Sequence, residues 1–360
     1  MTTMDEPELV GDPDLVTPEW LTRVLRHGGA IDDRTTITGF DSSYIGTGQV
    51  GANVRYQLRY DGGDGPATIV GKFASRDPQS AATGIQTGTY ETEVAFYRTL
   101  AHTVEISRPH CYLAALEHGT ANVVIVMEDV APAEQGDQIR GCSVDDATIA
   151  IDEAAKLHGP RWGDPTLKEL AWLDRSATSG GLVGMLQFVW DGFVERYRAT
   201  LSDASLEVGP RVIASVEKMA AYQPVALTPI HYDYRLDNML FGHPDRPLVV
   251  VDWQTVQLGM GPSDVAYFLG NAFEPEVRRG CEEQLVQRYH DALLAYGVTG
   301  YSQEQCWEEY RRSSCASLLM AVFASMMVGR TDRGDAMFMA MANRSAQMAI
   351  DLELFSLLGS

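Results

Sequence analysis

The sequence predicts an α+β protein with two lobes, a small antiparallel β-sheet followed by a larger and mostly helical part. Between residues 36 and 127, short runs of alternating or continuous apolar residues are separated by turns rich in glycine. From residue 143 onward, apolar residues recur mainly at helical spacing. The chain of 360 residues is long enough for two hydrophobic cores. We therefore place the lobes at residues 1–130 and 131–360.

The composition limits the partners of the chain. It carries 28 Lys and Arg against 49 Asp and Glu, a net charge of −21. This charge repels nucleic acid and anionic membrane surfaces, so we predict that neither is a partner. The acidity itself indicates either simple solubility or a cationic substrate.

Cysteine usage and hydropathy predict a cytoplasmic protein. The five cysteines are odd in number and form no C-x-x-C pair, which is typical of a reducing compartment. The first fifteen residues lack the basic and apolar regions of a signal peptide. The uncharged run 313–328 has sixteen residues, too few to span a bilayer, and is predicted to be a buried helix.

The first lobe is predicted to contain a helix, then five strands with a second helix between the third and fourth. Thr17 is the expected N-cap of the first helix, and Pro18 occupies its first position. A Ser-, Thr- and Gly-rich stretch at 80–89 is interpreted as a link. The predicted strands are 36–44, 52–60, 67–74, 110–116 and 122–127, and the second helix is 90–101.

A glycine motif lies between the first two predicted strands. Gly46, Gly48 and Gly51 match G-x-G-x-x-G. A dinucleotide-binding motif must lead from a strand into a helix, and this one leads into a strand. The spacing also occurs in the glycine-rich flap that covers ATP phosphates in kinases, and a plain hairpin turn is the simpler alternative.

Two charged residues of the first lobe are predicted to pair. Glu93 shares the buried stripe of its helix with Phe96, Tyr97 and Leu100. An unpaired buried carboxylate is costly, and Lys72 on the preceding strand is the natural partner. Alternatively, Glu93 lies at the edge of the stripe with its carboxylate in water.

The second lobe is predicted to be helical around one hairpin. Ser143 and Asp146 resemble a capping box at the start of a helix that ends at His158. His158 lies on the apolar stripe of this helix, and we interpret it as a core histidine in preference to a ligand. The histidines lack zinc-ligand spacing and no G-x-S-x-G motif is present, which disfavours zinc enzymes and serine hydrolases. Further helices are predicted at 180–201, 209–222, 262–273, 275–296, 302–328 and 333–358.

The hairpin carries candidate metal ligands. If Phe241 pairs with Leu248, Asn238 lies opposite residue 251 and beside Asp252. An amide oxygen and a carboxylate are hard ligands that suit Mg²⁺. Asp233 lies five residues before Asn238, in a loop at the same end, where it could face a substrate hydroxyl.

The order of these parts indicates phosphoryl transfer. A glycine loop between strands, a strand lysine, a helical glutamate and then Asp, Asn and Asp around a hairpin follow the order of kinase-fold phosphotransferases. The motifs H-R-D, D-F-G and A-P-E of protein kinases are absent. The predicted architecture is therefore the bilobal protein-kinase-like fold.

The sequence resembles the aminoglycoside phosphotransferase and choline kinase-like family, and within it the ecdysteroid kinase-like branch. The family motif H-G-D-x-x-x-x-N corresponds to His231-Tyr232-Asp233-Tyr234-Arg235-Leu236-Asp237-Asn238, and its metal aspartate to Asp252-Trp253. The segment Gly259-Met260-Gly261-Pro262-Ser263-Asp264-Val265-Ala266 resembles the following G-x-x-x-D-x-A. Further similarity lies at residues 127–130, 136–138 and 157–158.

This resemblance implies an ATP- and Mg²⁺-dependent kinase acting on a hydroxyl of a small molecule. Asp233 would orient the hydroxyl and take its proton, while Asn238 and Asp252 would hold Mg²⁺. Lys72, steadied by Glu93, would contact the α- and β-phosphates. The remaining implied roles are adenine binding by the backbone from Glu128 to Val130, phosphate cover by Gly46, Gly48 and Gly51, and support of the loop by His231 and Asp264.

One position of the motif departs from the family pattern, and another has a simpler role than metal binding. Tyr232 replaces the usual Gly of the motif, and we expect it to narrow the space beside Asp233. Asp237 is interpreted as a loop-stabilising side chain and not as a third metal ligand.

Two other functions stay open on the sequence alone. One is a nucleotide-binding pseudokinase or scaffold, against which Lys72, Asp233, Asn238 and Asp252 argue. The other is a Mg²⁺-dependent phosphohydrolase that uses the Asp cluster. The Met and aromatic stripes at 185–193 and 320–327 are core, or else they line a cleft for a bulky, partly apolar acceptor.

Overall fold

The computed structural model describes residues 6–46, 51–174 and 186–359, and these form two compact units. The first unit comprises the described residues up to His102, together with Arg108–Pro132 and Asp252–Gln254. The second comprises Thr103–Ser107, Ala133–Val251 and the residues from Thr255 onward. An antiparallel sheet near the N-terminus and a larger helical region confirm the predicted α+β class.

The first unit is built on the predicted five-stranded antiparallel sheet, in the order β1-β2-β3-β5-β4. Thr17 caps the first helix as expected, accepting a hydrogen bond from the Trp20 N–H. Its helices and strands are α1 (Pro18–His27), β1 (Thr36–Ile45), β2 (Gly51–Asp61), β3 (Thr68–Ala74), α2 (Pro78–Thr87), α3 (Thr89–Ala95), β4 (Cys111–Leu116) and β5 (Val123–Glu128).

The two faces of this sheet carry separate apolar layers. On one face, Val54, Tyr56 and Leu58 of β2 are buried with the apolar side of α1. On the other face, residues of β3 and β5 pack with Tyr90 and Val94 of α3. This packing places α3, which carries Glu93, against β3, which carries Lys72.

Two predictions in the first unit are wrong in detail. The stretch 80–89 is not a link, because residues 78–87 form α2. Asp77 caps that helix through the Ser80 N–H, and Gly88 ends it at φ +67°. The predicted helix 90–101 is α-helical only to Ala95, and Phe96–Leu100 form a π-helical turn.

The second unit is mostly helical. Its short strands are β6 (Glu134–Gln135), β7 (Thr228–Ile230), β8 (Met239–Phe241), β9 (Leu248–Val250) and β10 (Gln257–Gly259). Its described helices are α4 (Val144–His158), α5 (Leu186–Tyr197), α6 (Asp203–Ala220), α7 (Gly261–Ala272), α8 (Pro275–Ala295), α9 (Gln303–Arg312), α10 (Ala316–Met327) and α11 (Asp332–Asp351).

The predicted hairpin register is confirmed. Phe241 pairs with Leu248 in the β8–β9 ladder, and Gly242 begins the turn at φ +85°. The N–H of Val251 donates to the carbonyl of Asn238 at 3.0 Å, which places these two residues opposite each other. β8 also pairs with β6, so the hairpin belongs to a three-stranded sheet.

Several predicted helices of the second unit have different bounds. The helix predicted at 302–328 is broken into α9 and α10 by residues 313–315, where Ser313 turns its side chain back onto the Glu309 carbonyl. α11 ends at Asp351, near Glu353 at φ +51°. Gly180–Met185, the start of the helix predicted at 180–201, lies outside the described residues. Within the described ranges, no helix is both long and apolar enough to cross a membrane.

The helix predicted from Gly209 starts six residues earlier. α6 begins at Asp203 with Ser202 as N-cap and continues through Pro210. Its buried residues Val208 and Val212 belong to the apolar core formed with α5, α7, α10 and α11. Burial of this stripe outweighs the hydrogen bond lost at proline.

Two glycine substitutions test how tightly α6 packs. A Cβ added at Gly209 would lie 2.0 Å from the Trp190 ring, whereas one added at Gly280 in α8 would meet nothing within 4 Å. We expect Gly209→Ala to lower the free energy of unfolding by about 1–3 kcal/mol. Gly280→Ala is expected to raise it by up to about 1 kcal/mol, since alanine favours the helix. Denaturant unfolding measures both, and a shift of the same sign in both variants would contradict this account.

Candidate active site

The first unit holds a buried lysine between two carboxylates. The Nζ of Lys72 donates to Glu93 Oε1 at 2.9 Å and to Asp252 Oδ1 at 2.6 Å. Burial alone would lower the pKa of Lys72, but the two carboxylates raise it above its usual value. Burial also raises the pKa of Glu93, and Lys72 opposes that shift. The ammonium is therefore stabilised in its charged form, and the predicted pairing of Glu93 with Lys72 is present.

Asp252 is held in an unusual backbone conformation. Its φ is +69°, in the left-handed region that non-glycine residues seldom adopt. Trp253 is fully buried and stacks on Phe96, with ring centroids 4.1 Å apart. Gln254 Nε2 donates to Asp252 Oδ2 at 3.1 Å, so both carboxylate oxygens of Asp252 accept hydrogen bonds. The stacked ring beside Asp252 fixes where this strained residue lies.

Gly46 and Gly51 flank residues 47–50, which include Gly48 and lie outside the described residues. Gly46 follows β1 at φ +74°. Gly51 begins β2, and a Cβ there would approach the Phe73 carbonyl at 3.2 Å and Lys72 Cε at 3.4 Å. A side chain at Gly51 would therefore fit only tightly beside the strand that carries the lysine.

The proposed adenine-binding residues lie at the end of β5. Glu128 pairs with Ile69 of β3, and its N–H donates to the His110 carbonyl at 2.8 Å. Val130 is buried two residues further on. Between them, Asp129 forms a salt bridge with Arg55 of β2 at 2.6 Å. The end of β5 is thus fixed to the sheet that carries Lys72.

In the second unit, Asp264 anchors the loop that contains the H-x-D motif. Its carboxylate is 1 % exposed and accepts hydrogen bonds from the N–H groups of His231 at 2.6 Å and Tyr232 at 2.9 Å. His158 Nε2 lies 3.3 Å from the same carboxylate, and His158 Nδ1 lies 2.7 Å from the Tyr289 hydroxyl. His158 is therefore a buried histidine with both nitrogens engaged.

His231 connects the loop to the hairpin. Its ring Nε2 lies 3.1 Å from the Val251 carbonyl, and its Nδ1 accepts from the Asp233 N–H at 3.3 Å. The Thr255 hydroxyl donates to the His231 carbonyl at 2.8 Å. Because both ring nitrogens are engaged and the side chain is fully buried, the His231 ring is held in one orientation beside the Asp233 backbone.

The Asp233 carboxylate is surrounded by three donors. Arg235 Nε lies 3.0 and 3.1 Å from its two oxygens, and the Tyr267 hydroxyl donates to Oδ1 at 2.8 Å. The side-chain amide of Asn238 donates to Oδ2 and to the Asp233 carbonyl, both at 2.9 Å. The structure thus brings Asp233 and Asn238 together, and the two bonds occupy the amide nitrogen of Asn238 and not its oxygen.

Asp237 extends this network to α11. It accepts from Arg235 at 2.9 Å and from both terminal nitrogens of Arg333, at 2.9 and 3.0 Å. Burial would raise the pKa of Asp237, but the hydrogen bonds from Arg333 and the charge of Arg235 hold it below its usual value. The backbone N–H of Gln138 donates to the same carboxylate at 2.9 Å. These contacts give Asp237 the loop-stabilising position expected for it.

Tyr232, in the second unit, also has a left-handed backbone. Its φ is +69°, a conformation that glycine adopts without strain. Its side chain is 43 % exposed, unlike the buried His231 before it. The departure from H-G-D thus falls at a position where the backbone itself favours glycine.

Oxygen atoms dominate the possible metal ligands. Among the described residues, no three His, Cys, Asp or Glu side chains gather as a metal-binding group. The first unit offers the Asp252 carboxylate, and the second unit offers the Asn238 amide oxygen. Each is a hard oxygen donor of the kind that Mg²⁺ prefers.

A family model decides the relationship of this chain to known proteins. The model of the phosphotransferase enzyme family matches residues 52–303, more than half of the chain, and includes every motif of the site from Lys72 to Asp264. The chain belongs to this family. The resemblance to its ecdysteroid kinase-like branch stays a prediction. A search among curated proteins finds no significant match.

Solved structures share the fold at low sequence identity. Choline kinase from Cryptosporidium parvum Iowa II has a TM-score of 0.52 and 9% identity, covering 87% of this chain and 89% of its own. Plasmodium vivax ethanolamine kinase has 0.50 and 12%, covering 90% and 88%. The GDP complex of aminoglycoside 2'-phosphotransferase-IIIa has 0.50 and 14%, covering 86% and 94%. These similarities confirm the kinase-like fold.

Sequence reasoning missed three residues that contact the site carboxylates. Arg235 lies inside the motif, two residues after Asp233, and its position alone could have indicated a partner. Tyr267 follows Asp264 by three residues in α7, so the two share a helix face. Arg333 is 96 residues from Asp237, and no local pattern points to their contact.

Replacing Asp264 tests the anchor of the loop. In Asp264→Asn, an N–H₂ group takes the place of one oxygen that accepts backbone N–H donors. We expect the free energy of unfolding to fall by about 2–3 kcal/mol. The matched control is Asp245→Asn in the exposed hairpin turn, expected to change it by less than about 0.5 kcal/mol. Equal effects of the two substitutions in denaturant unfolding would refute the anchoring role.

Replacing Arg333 tests the charge network through its pH dependence. A carboxylate with a lowered pKa stabilises the fold above the unfolded pKa of about 4 and loses this effect as the pH falls through the folded value. We expect Arg333→Gln to lower the free energy of unfolding by about 1 kcal/mol at neutral pH. The difference from wild type should shrink as the pH falls below about 4. The exposed Arg23→Gln serves as control, and a pH-independent difference at Arg333 would contradict the assignment.

Proposed function

We propose that the protein is a small-molecule kinase that moves the γ-phosphate of ATP to a hydroxyl with the help of Mg²⁺. The observation that carries this proposal is the Lys72 ammonium held between Glu93 and Asp252, in a strand whose neighbour begins with Gly51. The two carboxylates fix the position of the Lys72 ammonium. In kinases, lysines held in this way bind the phosphates of the nucleotide. Membership of the phosphotransferase family supports the same reaction.

The reaction needs positioning and charge neutralisation more than covalent catalysis. The acceptor oxygen forms a bond to the γ-phosphorus, the bond from that phosphorus to the bridging oxygen of ADP breaks, and the hydroxyl proton passes to Asp233. Arg235, Tyr267 and Asn238 hold the Asp233 carboxylate in place for this transfer. Lys72 contacts the phosphates of the nucleotide, and the backbone from Glu128 to Val130 binds its base.

The Mg²⁺ ligands implied by the family resemblance are the Asp252 carboxylate and the Asn238 amide oxygen. Both supply the hard oxygen donors that the ion requires. When bound, Mg²⁺ neutralises phosphate charge. His231 and Asp264 support the loop and are not assigned a contact with substrate, because both are buried.

The acceptor is proposed to be small and to carry a hydroxyl. Proteins that share the fold are named for choline, ethanolamine and aminoglycosides. The five cysteines are all free thiols, which supports a reducing compartment, and we propose the cytoplasm. Neither nucleic acid nor a membrane is proposed as a partner, on the ground of the net charge of −21.

A screen of hydroxyl compounds for ATP-dependent phosphorylation tests the function. For an acceptor found in this way, Asp233→Asn is expected to lower kcat by about 10²–10⁴-fold, because it removes the proton acceptor. Nucleotide binding, measured by calorimetry, should persist in that variant. Asp245→Asn, which changes an exposed turn residue of the same charge, should keep its activity.

Three outcomes would contradict the proposal. Full activity of Asp233→Asn would show that the base is wrongly assigned. ATP binding with neither hydrolysis nor transfer to any acceptor would indicate a pseudokinase. Release of phosphate from phosphoesters in the absence of ATP would indicate a phosphohydrolase.

A further inference from the structure

The Asp233 carboxylate accepts hydrogen bonds from three donors among the described residues. The Tyr267 hydroxyl donates to Oδ1 at 2.8 Å, and the Asn238 amide donates to Oδ2 at 2.9 Å. The Nε of Arg235 lies 3.0 and 3.1 Å from the two oxygens, so its single hydrogen is shared between them. Since an ionised carboxylate can accept about four hydrogen bonds, about one position is left for the hydroxyl of an acceptor. The direction of that position depends on how the three donors are held.

Arg235 is the donor whose placement matters most. A hydrogen bond weakens when its hydrogen is not directed at one acceptor, so the shared hydrogen holds the carboxylate only while the guanidinium stays between the two oxygens. That placement is set by the other end of the guanidinium. Arg235 Nη1 donates to Asp237 Oδ2 at 2.9 Å and lies 3.1 Å from Met337 Sδ. The orientation of the Asp233 carboxylate therefore depends on Asp237.

Asp237 is held in turn by helix α11. Arg333, in the first turn of α11, donates from both terminal nitrogens to the two Asp237 oxygens, at 2.9 and 3.0 Å. Two parallel bonds of this kind fix the orientation of a carboxylate as well as its distance. Met337, which contacts Arg235, lies four residues after Arg333 and thus on the same side of α11. One side of this helix therefore holds both members of the Arg235–Asp237 pair.

We propose that Arg333 is a positioning residue that controls the direction of the Asp233 carboxylate, acting through Asp237 and then Arg235. For its effect on the rate, this inference rests on the proposed function, because Asp233 must take a proton from the acceptor. The side chain of Arg333 is 46 % exposed and that of Asp237 is 7 % exposed, so the network starts at the surface and leads inward to the base. A slightly displaced base lowers the rate of transfer far more than it weakens nucleotide binding.

A purely structural role of Arg333 predicts a different result. If Arg333 only fastened α11 to the loop, its loss would lower the free energy of unfolding and leave the folded enzyme with its full kcat. In Arg333→Gln, the buried Asp237 carboxylate keeps the hydrogen bonds from Arg235 and from the Gln138 N–H, so the variant is expected to fold. The placement of Arg235 and the rate can therefore both be measured in the folded variant.

The first measurement follows the Arg235 Nε–H directly and needs no substrate. In protein made with isotope-labelled arginine, the NMR signal of this group is assigned by its loss in Arg235→Lys. We expect Arg333→Gln to speed the exchange of this hydrogen with water about tenfold, because the bonds that hold Asp237 in place are lost. The matched control is Arg330→Gln, since Arg330 lies three residues before Arg333 and pairs with Asp335. This control should leave the exchange unchanged.

The second measurement uses water as the acceptor and follows ADP release from ATP with Mg²⁺. The water oxygen bonds to the γ-phosphorus, the bond from that phosphorus to ADP breaks, and the water proton passes to Asp233. We expect Arg333→Gln to lower kcat about tenfold and to change KM for ATP by less than about twofold. Arg333→Lys, which keeps the charge but lacks the two-nitrogen fork, should recover only part of the loss. In an Asp237→Asn background, Arg333→Gln should lower kcat by less than about twofold, because its effect passes through Asp237.

The outcomes distinguish this inference from the proposed function. Unchanged exchange of the Arg235 Nε–H in Arg333→Gln, or an equal change in Arg330→Gln, would overturn the inference. The same conclusion would follow if an active wild type lost no kcat in Arg333→Gln, or if the loss persisted undiminished in the Asp237→Asn background. Faster exchange in Arg333→Gln alone, with a wild type that transfers phosphate neither to water nor to any hydroxyl compound, would support the positioning network and refute the kinase function.

Discussion

The buried carboxylate of Asp264 is the constraint on which the second unit depends. It accepts the N–H groups of His231 and Tyr232, and a buried anion can be kept only while such donors are present. The left-handed turn at Tyr232 directs both N–H groups to one side chain. The segment from Asp233 to the β8–β9 hairpin follows directly on this fixed turn, so the turn sets the position at which the segment begins. The loop is thus defined by α7, which carries the anchor, as much as by its own sequence.

Features with a local pattern could be predicted from the sequence. The hairpin register followed from two apolar runs and a Gly- and Pro-containing turn, because a strand shifted by one residue would expose its apolar side. The Lys72–Glu93 pair followed from a carboxylate on a buried stripe and the cost of leaving it alone. The capping box at Ser143 and the five-stranded sheet were also predictable, since both depend on spacings of a few residues.

Features decided by long-range packing could not be predicted. Arg333 reaches Asp237 only because α11 packs against the core, and nothing near either residue encodes this. α6 continues through Pro210 since burial of Val208 and Val212 outweighs a rule that holds for isolated helices. The stretch 80–89 has a composition typical of loops, yet most of it is helical and packs so closely that a Cβ at Gly84 would lie 2.5 Å from the Tyr90 ring. The left-handed φ of Tyr232 could not be predicted either, because tyrosine seldom adopts that conformation.

Asp252 carries a consequence for how this protein could be recombined with its relatives. The chain passes from one unit to the other five times, and Asp252–Gln254 return to the first unit long after its main segment has ended. A single crossover near residue 130 would therefore exchange Lys72 and Glu93 but leave behind the aspartate that contacts the same ammonium. Chimeras made in this way would combine the lysine and the π-helical turn of one parent with the aspartate and the stacking tryptophan of the other. This charge cluster can be inherited intact only when residues 72–252, half of the chain, are exchanged together.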